Sequence, residues 1–263
     1  MPLEEMLKFV PVFVLVLFRI GGLMLFAPML GSARIPRQVK ALFAIILALG
    51  LTASIPRPAH LPETTWGVAV GIAGEMMFGL AMGMILSFVF ISTQWAGQMI
   101  GQQMGLNMGE VVDPQFSGSS SVIGDFYYFL TLVVFLFVGG HRDMIRGIRD
   151  SFTTLPLLSV GIDASVLNLV VQMFATATTL AMRLAAPVLV TMLVVDLTLG
   201  FIGKTMPQLN VMASGMSIKS MVGLIVIMIG ISLFSTPNVI QEAIAESMNV
   251  VRVVWQTPAA VQN

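Results

Sequence analysis

The sequence predicts an all-α protein of the integral-membrane type, built from long helices, some of them kinked and too long for a single crossing. Of its 263 residues, 57% are hydrophobic and 10% are charged, whereas charged residues make up roughly 25% of an average soluble domain. Several apolar runs reach the length of about 20 residues that a helix needs to cross a bilayer. Two runs are almost twice that long.

The charged and reactive residues exclude several classes of function. Thirteen basic and thirteen acidic residues cancel, so there is no positive field to attract nucleic acid. The chain has no Cys, which excludes thiolate metal sites and Cys nucleophiles. His60 and His141 lie far apart in loop-like contexts, and there is no GxxxxGK[ST] phosphate loop. We expect a protein that is not an enzyme and that binds no nucleic acid, cofactor or metal.

The first apolar run covers residues 9–30 and is interrupted only by Arg19. It is long enough to cross a bilayer as a helix. Glu4 and Glu5 stand where a secretory signal needs positive charge, so we expect this span to be retained. A shorter apolar run follows at residues 41–55 and ends at a Pro-rich breaker.

Residues 66–103 predict one continuous helix of about 38 residues, which would be about 57 Å long. A helix of that length must tilt strongly, kink or leave the bilayer. Gly79 and Gly83 form a small-xxx-small pair, which lets two helices approach backbone to backbone. We therefore expect these glycines to serve helix packing.

The next apolar run, residues 122–140, predicts another helix that ends at a pair of glycines. The segment after it, "HRDMIRGIRD", carries five charged side chains in ten residues. This density of charge predicts a polar connection between helices.

Residues 164–202 repeat the overlong pattern, with Pro187 placed to kink the helix. The Gly-, Ser- and Pro-containing segment "GKTMPQLNVMASGMSIKS" predicts a break before an apolar helix at residues 221–235. Thr236 then begins a last amphipathic helix and a frayed tail. Lys and Arg divide almost evenly between the two sides under simple alternation, which argues against a plain serpentine in lipid.

Two stretches carry a resemblance to a known family. They are "STQWAGQMIGQQMGLNMGEVVDPQFSGSSSVIGDFYYFLTLVVFLFVGGHRDMI" (residues 92–145) and "RLAAPVLVTMLVVDLTLGFIGKTMPQLNVMASGMSIK" (residues 183–219). Both resemble the FliR/SctT family of type III secretion export gates. The resemblance implies a structural subunit of a flagellar basal body in the bacterial inner membrane. It also implies FliP- and FliQ-type partner subunits, FlhB- and FlhA-type export proteins, and unfolded flagellar subunits as cargo.

The same resemblance implies two parts of the chain. Residues 1–163 would form a FliP-like helical part that includes a pore loop. Residues 164–263 would form a FliQ-like helical hairpin followed by a terminal helix and tail. Both parts would belong to a helical multi-subunit gate. Helices buried among partner subunits need not match bilayer thickness, which would explain both overlong runs.

The segment "MGLNMGEVVDPQFSGSSS", residues 104–121, is the predicted pore loop. Non-helical backbone at membrane depth is tolerated only where protein or a water-filled cavity supplies hydrogen-bond partners. Flexible glycines and apolar side chains suit a soft stopper that closes a water path by dewetting. The plug candidates are Met104, Leu106, Met108, Val111, Val112 and Phe116, and the hinge candidates are Gly101, Gly105, Gly109 and Gly118. The alternative is an exposed connector whose Met and Phe side chains merely cap helix ends.

Four charged residues fall inside the apolar helices: Arg19, Glu75, Arg183 and Asp196. An unpaired charge there costs several kcal/mol, so each is expected to have a partner, a lumen or water. Glu75 with Arg183, or Arg19 with Asp196, are the pairs that we consider. A structural ion pair is the main interpretation, and a proton relay is the other.

A secondary transporter of a small solute is the alternative function. Gly-interrupted spans and intramembrane charges favour it. Transporters of this class often carry matching broken helices in two related halves, whereas here the halves differ in segment length and loop chemistry.

Overall fold

The computed structural model describes residues 3–28, 30–31, 35–55, 64–107, 121–158, 164–206, 208 and 211–234. Within this part of the chain the regular secondary structure is helical, which agrees with the predicted all-α class. The helices are α1 (Leu3–Phe26), α2 (Arg37–Thr52), α3 (Thr65–Gln103), α4 (Val122–Val138), α5 (Gly140–Thr154), α6 (Ala164–Thr205) and α7 (Val211–Phe234).

Among the described residues, three helical stretches are long and apolar enough to cross a membrane: Phe9–Phe26, Thr65–Gln103 and Val171–Thr205. The bent pair of α4 and α5 would make a fourth crossing if it counts as one span. The overlong helices are confirmed, because α3 has 39 residues and α6 has 42 residues. α6 continues through Pro187 without a break in its helix.

Two predicted boundaries are wrong. The "HRDMIRGIRD" segment is not a connection but most of α5, an amphipathic helix whose apolar positions Met144, Ile148 and Phe152 are buried. α7 begins at Val211 rather than at residue 221, so the predicted break between α6 and α7 is much shorter. The amphipathic helix predicted from Thr236 lies outside the described residues.

The bend between α4 and α5 measures 69° and is made by two glycines. Gly139 has φ +85°, a backbone conformation that side-chain-bearing residues rarely adopt. A Cβ on Gly140 would press against the ring of Phe135. The positive φ at one position and the close contact at the next explain why both residues are glycine.

The chain divides into two compact units. Unit 1 comprises residues 1–88, 135–174 and 244–263, and unit 2 comprises residues 89–134 and 175–243. This division rests on internal packing. The predicted division after residue 163 concerns likeness to two partner families, and it stays a prediction.

In unit 1, α1 packs against the first part of α3 at backbone distance. A Cβ on Gly79 would press on the carbonyl oxygen of Arg19 and lie 2.9 Å from its carbonyl carbon. A Cβ on Gly83 would lie 3.1 Å from the carbonyl carbon of Leu23. The small-xxx-small pair therefore packs on a helix of its own chain. The core around this contact includes Val16, Ile20, Leu23, Phe78, Met82, Ile148 and Phe152.

In unit 2, the end of α3 packs with α6 and α7. Its buried core includes Ala96, Ile100, Met104, Leu184, Val188, Met192 and Ile227. α6 and α7 form an antiparallel hairpin, because Asp196 contacts Lys219 while Leu199, further along α6, lies against Gly215, further back on α7.

Replacing Gly79 by Ala tests the contact between α1 and α3. The added methyl group meets backbone atoms, which cannot move aside as a side chain can, so we expect a loss of about 1–3 kcal/mol of stability. The measurement is the unfolding midpoint temperature of the detergent-purified chain, which should fall.

The matched control is Gly21→Ala on α1, where an added Cβ has no atom within 4 Å. This variant should keep or gain stability, by up to about 1 kcal/mol, because Ala favours a helix over Gly. An equal midpoint for both variants would contradict the close approach at Gly79.

Candidate functional site

The structure describes the two ends of the predicted pore loop. Residues 104–107 leave α3 and Ser121 leads into α4. Leu106 is 44% exposed, and Gly105 has φ +77°. The other plug candidates beyond this point (Met108, Val111, Val112 and Phe116) and the hinge candidates Gly109 and Gly118 lie outside the described residues.

The two ends of the loop meet at Gly101, in the last turn of α3. A Cβ on Gly101 would lie 2.8 Å from Ser121 Oγ and 3.0 Å from Asn107 Oδ1. One turn earlier, a Cβ on Gly97 would lie 2.6 Å from the Cα of Gly124. We name these five residues the loop root. The loop therefore leaves and re-enters the helices at nearly the same point.

The chemistry of the loop root follows from its residue types. The Ser121 hydroxyl accepts a hydrogen bond from the Gly124 N–H at 3.3 Å, which caps the start of α4. The Gly97 and Gly124 backbones can touch because neither carries a side chain. Gly101, a hinge candidate, thus lies in a tightly packed helical turn, where its small size makes room for two polar side chains.

Met104 is fully buried in the core of unit 2, whereas its neighbour Leu106 is exposed. A Cβ on Gly223 of α7 would lie 2.6 Å from Met104 Cγ. The Ser220 hydroxyl donates a hydrogen bond to the Met104 carbonyl oxygen at 3.3 Å. In this structure the Met104 side chain anchors the loop to α7, while Leu106 is the described plug candidate that faces outward.

A polar cluster joins three helices immediately before the loop. Gln103, the last residue of α3, donates a hydrogen bond from Nε2 to Asp196 Oδ2 of α6 at 3.1 Å. Lys219 of α7 forms an ion pair with Asp196 Oδ1. Both charged side chains are partly exposed. The cluster fixes the end of α3 against the α6–α7 hairpin at the residue where the loop begins.

A second polar cluster is buried in unit 1. Arg19 and Glu75 are 1% and 0% exposed, and Arg19 Nε donates to Glu75 Oε2 at 2.5 Å. Arg19 Nη1 also donates to the carbonyl oxygens of Ser151 at 3.3 Å and Leu155 at 3.2 Å. Glu75 Oε1 accepts the N–H of Leu158 at 2.9 Å. The pair thus links α1, α3 and the end of α5.

Aromatic rings complete the surroundings of Arg19. Its guanidinium carbon lies 4.9 Å from the ring centroid of Phe78 and 4.4 Å from that of Phe152. These are cation–π distances, which offset part of the cost of burying the charge. Leu158, which donates to Glu75, has φ +70°, so this hydrogen bond supports a strained backbone position.

The observed ion pairs differ from both predicted pairs, Glu75 with Arg183 and Arg19 with Asp196. Arg19 pairs with Glu75 rather than with Asp196, and Asp196 pairs with Lys219. Gly79 and Gly83 of α3 allow α1 to lie against α3, which brings Arg19 within reach of Glu75. Arg183 is exposed on this chain.

Sequence reasoning missed Lys219 as a partner because residues 203–220 were interpreted as a break. Extending the helical period of α7 back to Val211 would have placed Lys219 inside a helix, and that signal was available. The roles of Ser151 and Leu158 had no sequence signal, since both depend on how distant helices pack.

Comparisons with known proteins find related sequences over most of the chain. Residues 10–253 match the family described as bacterial export proteins, family 1. The chain is 29% identical over 234 residues to the flagellar biosynthetic protein FliR of Bacillus subtilis, which covers 88% of this chain and 90% of that protein. It is 26% identical over 221 residues to FliR of Escherichia coli, 84% of each chain. It is also 26% identical over 216 residues to the surface presentation of antigens protein SpaR of Shigella flexneri, covering 81% and 82%.

The loop root can be tested with introduced cysteines, because the chain has no native Cys. We expect an Asn107→Cys/Ser121→Cys variant to form a disulfide readily, since both side chains reach the same point above Gly101. The measurement is the fraction of chain that gains the internal disulfide after mild oxidation, read from gel mobility with and without reductant.

The control pair is Asn107→Cys/Val122→Cys. Val122 adjoins Ser121 in sequence but is 76% exposed, so its side chain points away from the root. Equal yields for the two pairs, or no disulfide in either, would contradict the closed root.

Proposed function

This chain belongs to the bacterial export proteins, family 1, and we propose that it is a structural subunit of a flagellar type III export gate. It is a membrane component of an export apparatus rather than an enzyme. With FliP- and FliQ-type subunits it would form the conduit that passes unfolded flagellar subunits across the bacterial inner membrane. The similarity to flagellar biosynthetic proteins over most of both chains supports the flagellar assignment.

In this proposal the loop of residues 104–121 is the plug of the conduit. The single observation that carries the proposal is the loop root, where the two ends of the loop meet against Gly101. Because Asn107 and Ser121 converge on Gly101, the described ends of the loop are held at one point. Its apolar side chains can then close a water path by dewetting, and its glycines lower the cost of yielding to cargo.

Exposed apolar side chains support assembly with other helices. On α6, Val190, Leu193, Val194, Leu197 and Phe201 are all more than half exposed. On α7, Met221, Leu224, Met228 and Ile229 are also more than half exposed. Faces of this size on a membrane protein need lipid or other helices to cover them. We propose that FliP- and FliQ-type subunits cover part of them.

The antiparallel α6–α7 hairpin supports the proposal that residues 164–263 resemble a FliQ-type subunit, with residues 1–163 as the FliP-like part. FlhB- and FlhA-type export proteins are the further partners that we propose, at a flagellar basal body. Membership of a family of export proteins argues against the alternative of a small-solute transporter.

Two loop variants test the plug. One deletes residues 108–118, and the other keeps the length but replaces Met108, Val111, Val112 and Phe116 by Ser. We expect both to make assembled gates leaky to small ions, because the apolar stopper is lost. The measurement is the ion permeability of cells or vesicles that contain the assembled complex.

The comparison between the variants identifies the cause of closure. If only the deletion leaks, loop length rather than apolar contact closes the path. If neither variant leaks while the complex assembles normally, the loop is a connector and the plug proposal is wrong. An Arg149→Ser variant at an exposed position of α5 should leave permeability unchanged and serves as the control.

A further inference from the structure

Arg183 is a charged residue that the described part of the chain leaves without a partner. It lies in α6, inside an apolar stretch, Val171–Thr205, that is long enough to cross a membrane. Its side chain is exposed, and it makes no ion pair or hydrogen bond within the described residues. A guanidinium in such a stretch is costly unless an anion or water compensates it.

Five carboxylates whose side chains the structure describes are already engaged. Glu75 pairs with Arg19, and Asp196 pairs with Lys219. Asp143 pairs with Arg146, and Asp150 with Arg149. Asp125 also has an interaction of its own. An anion for Arg183 would therefore come from outside these five groups.

The face of α6 around Arg183 is built for close approach. Thr179 and Pro187 lie one turn away on either side, and Ala186 and Thr176 share the same face. All four are exposed. Small side chains let a neighbouring helix come close.

Exposed apolar side chains continue on both sides of Arg183. Val171 and Phe174 precede it, and Val190 and Val194 follow it, each at least half exposed. If Arg183 marked the level of lipid headgroups, one of these apolar groups would face water. The arrangement therefore favours a protein partner over a lipid phosphate.

We propose that Arg183 binds a carboxylate on an apolar helix of another subunit of the gate. The planar guanidinium can hold both carboxylate oxygens, which gives the contact direction as well as strength. The small residues around it then form the helix-packing surface. This inference rests on the proposed assembly of the chain with other membrane subunits and names the chemistry of one contact.

The first test compares Arg183→Gln with Arg183→Lys in the full-length chain, co-expressed with the export subunits. We expect Arg183→Gln to lower the recovery of partner subunits on the purified chain about ten-fold, because the partner carboxylate loses its counter-charge. Arg183→Lys should retain most of the recovery. The control is Arg146→Gln, whose exposed side chain already pairs with Asp143 on α5, and its recovery should be unchanged.

The second test identifies the partner group directly. In the Arg183→Lys complex, a carbodiimide, which is a zero-length crosslinker, joins the introduced amine to any carboxylate in contact with it. We expect mass spectrometry to find one new amide bond between position 183 and an Asp or Glu on an apolar helix of another subunit. This bond should be absent from the unmodified complex.

Distinct outcomes overturn distinct claims. If Arg183→Gln keeps full recovery, or if no carboxylate of another subunit couples to position 183, the inference is wrong. Recovery that instead depends on added anionic lipid would identify a lipid phosphate as the occupant and would also overturn it. If the unmodified chain is recovered with no export subunit at all, the proposed function fails.

Discussion

The buried ion pair between Arg19 and Glu75 is the interaction on which the packing of unit 1 depends. Neither charge can reach water, so each must be compensated within the protein. Gly79 makes this compensation feasible by letting the two helix backbones touch beside the pair. Arg19 and Glu75 also bind the backbone at the end of α5 and just after it. Removing one partner would leave a buried charge and free a strained segment together.

Unit 2 uses the same combination of close helix contact and polar cross-linking, and there it fixes a loop. The Gly97–Gly124 contact brings α3 and α4 together, and the Asp196 cluster holds the end of α3 to the α6–α7 hairpin. Met104 is buried against α7 at the next residue. The start of the loop is therefore held by contacts with both α6 and α7. Ser220 and Gly223 connect the α6–α7 hairpin to the start of the loop, because both contact Met104.

The long helices were predictable from the sequence because hydrophobicity and unbroken length decide them. The predicted run 66–103 differs by one residue from the observed start of α3 at Thr65. The charges of α5 suggest a polar connection, whereas its apolar positions Met144, Ile148 and Phe152 repeat with the spacing of a helix. The charge pairs could not be predicted, since Arg19 and Glu75 are 56 residues apart in sequence and helix order alone does not fix which faces meet.

Some features of the candidate site can also be predicted from the sequence, and others depend on how the helices pack. Residue types pointed to the pore loop, but the convergence of Asn107 and Ser121 on Gly101 depends on how α3 and α4 cross. Likewise, residue type alone does not show whether Met104 packs in the core or belongs to the plug, because an apolar thioether suits both roles. Among the described residues, Arg183 stands out as an unpaired charge only after the structure has shown the partners of Arg19, Glu75 and Asp196.

In the proposed gate, the loop held at this root borders the path of exported cargo. The most direct measurement places a photo-reactive group at Phe116 and asks whether it crosslinks to an export substrate stalled in the assembled gate. We expect a crosslink to the substrate that disappears when no cargo is loaded. A gate shown to hold its substrate, with no crosslink from this position, would show that the loop does not border the path.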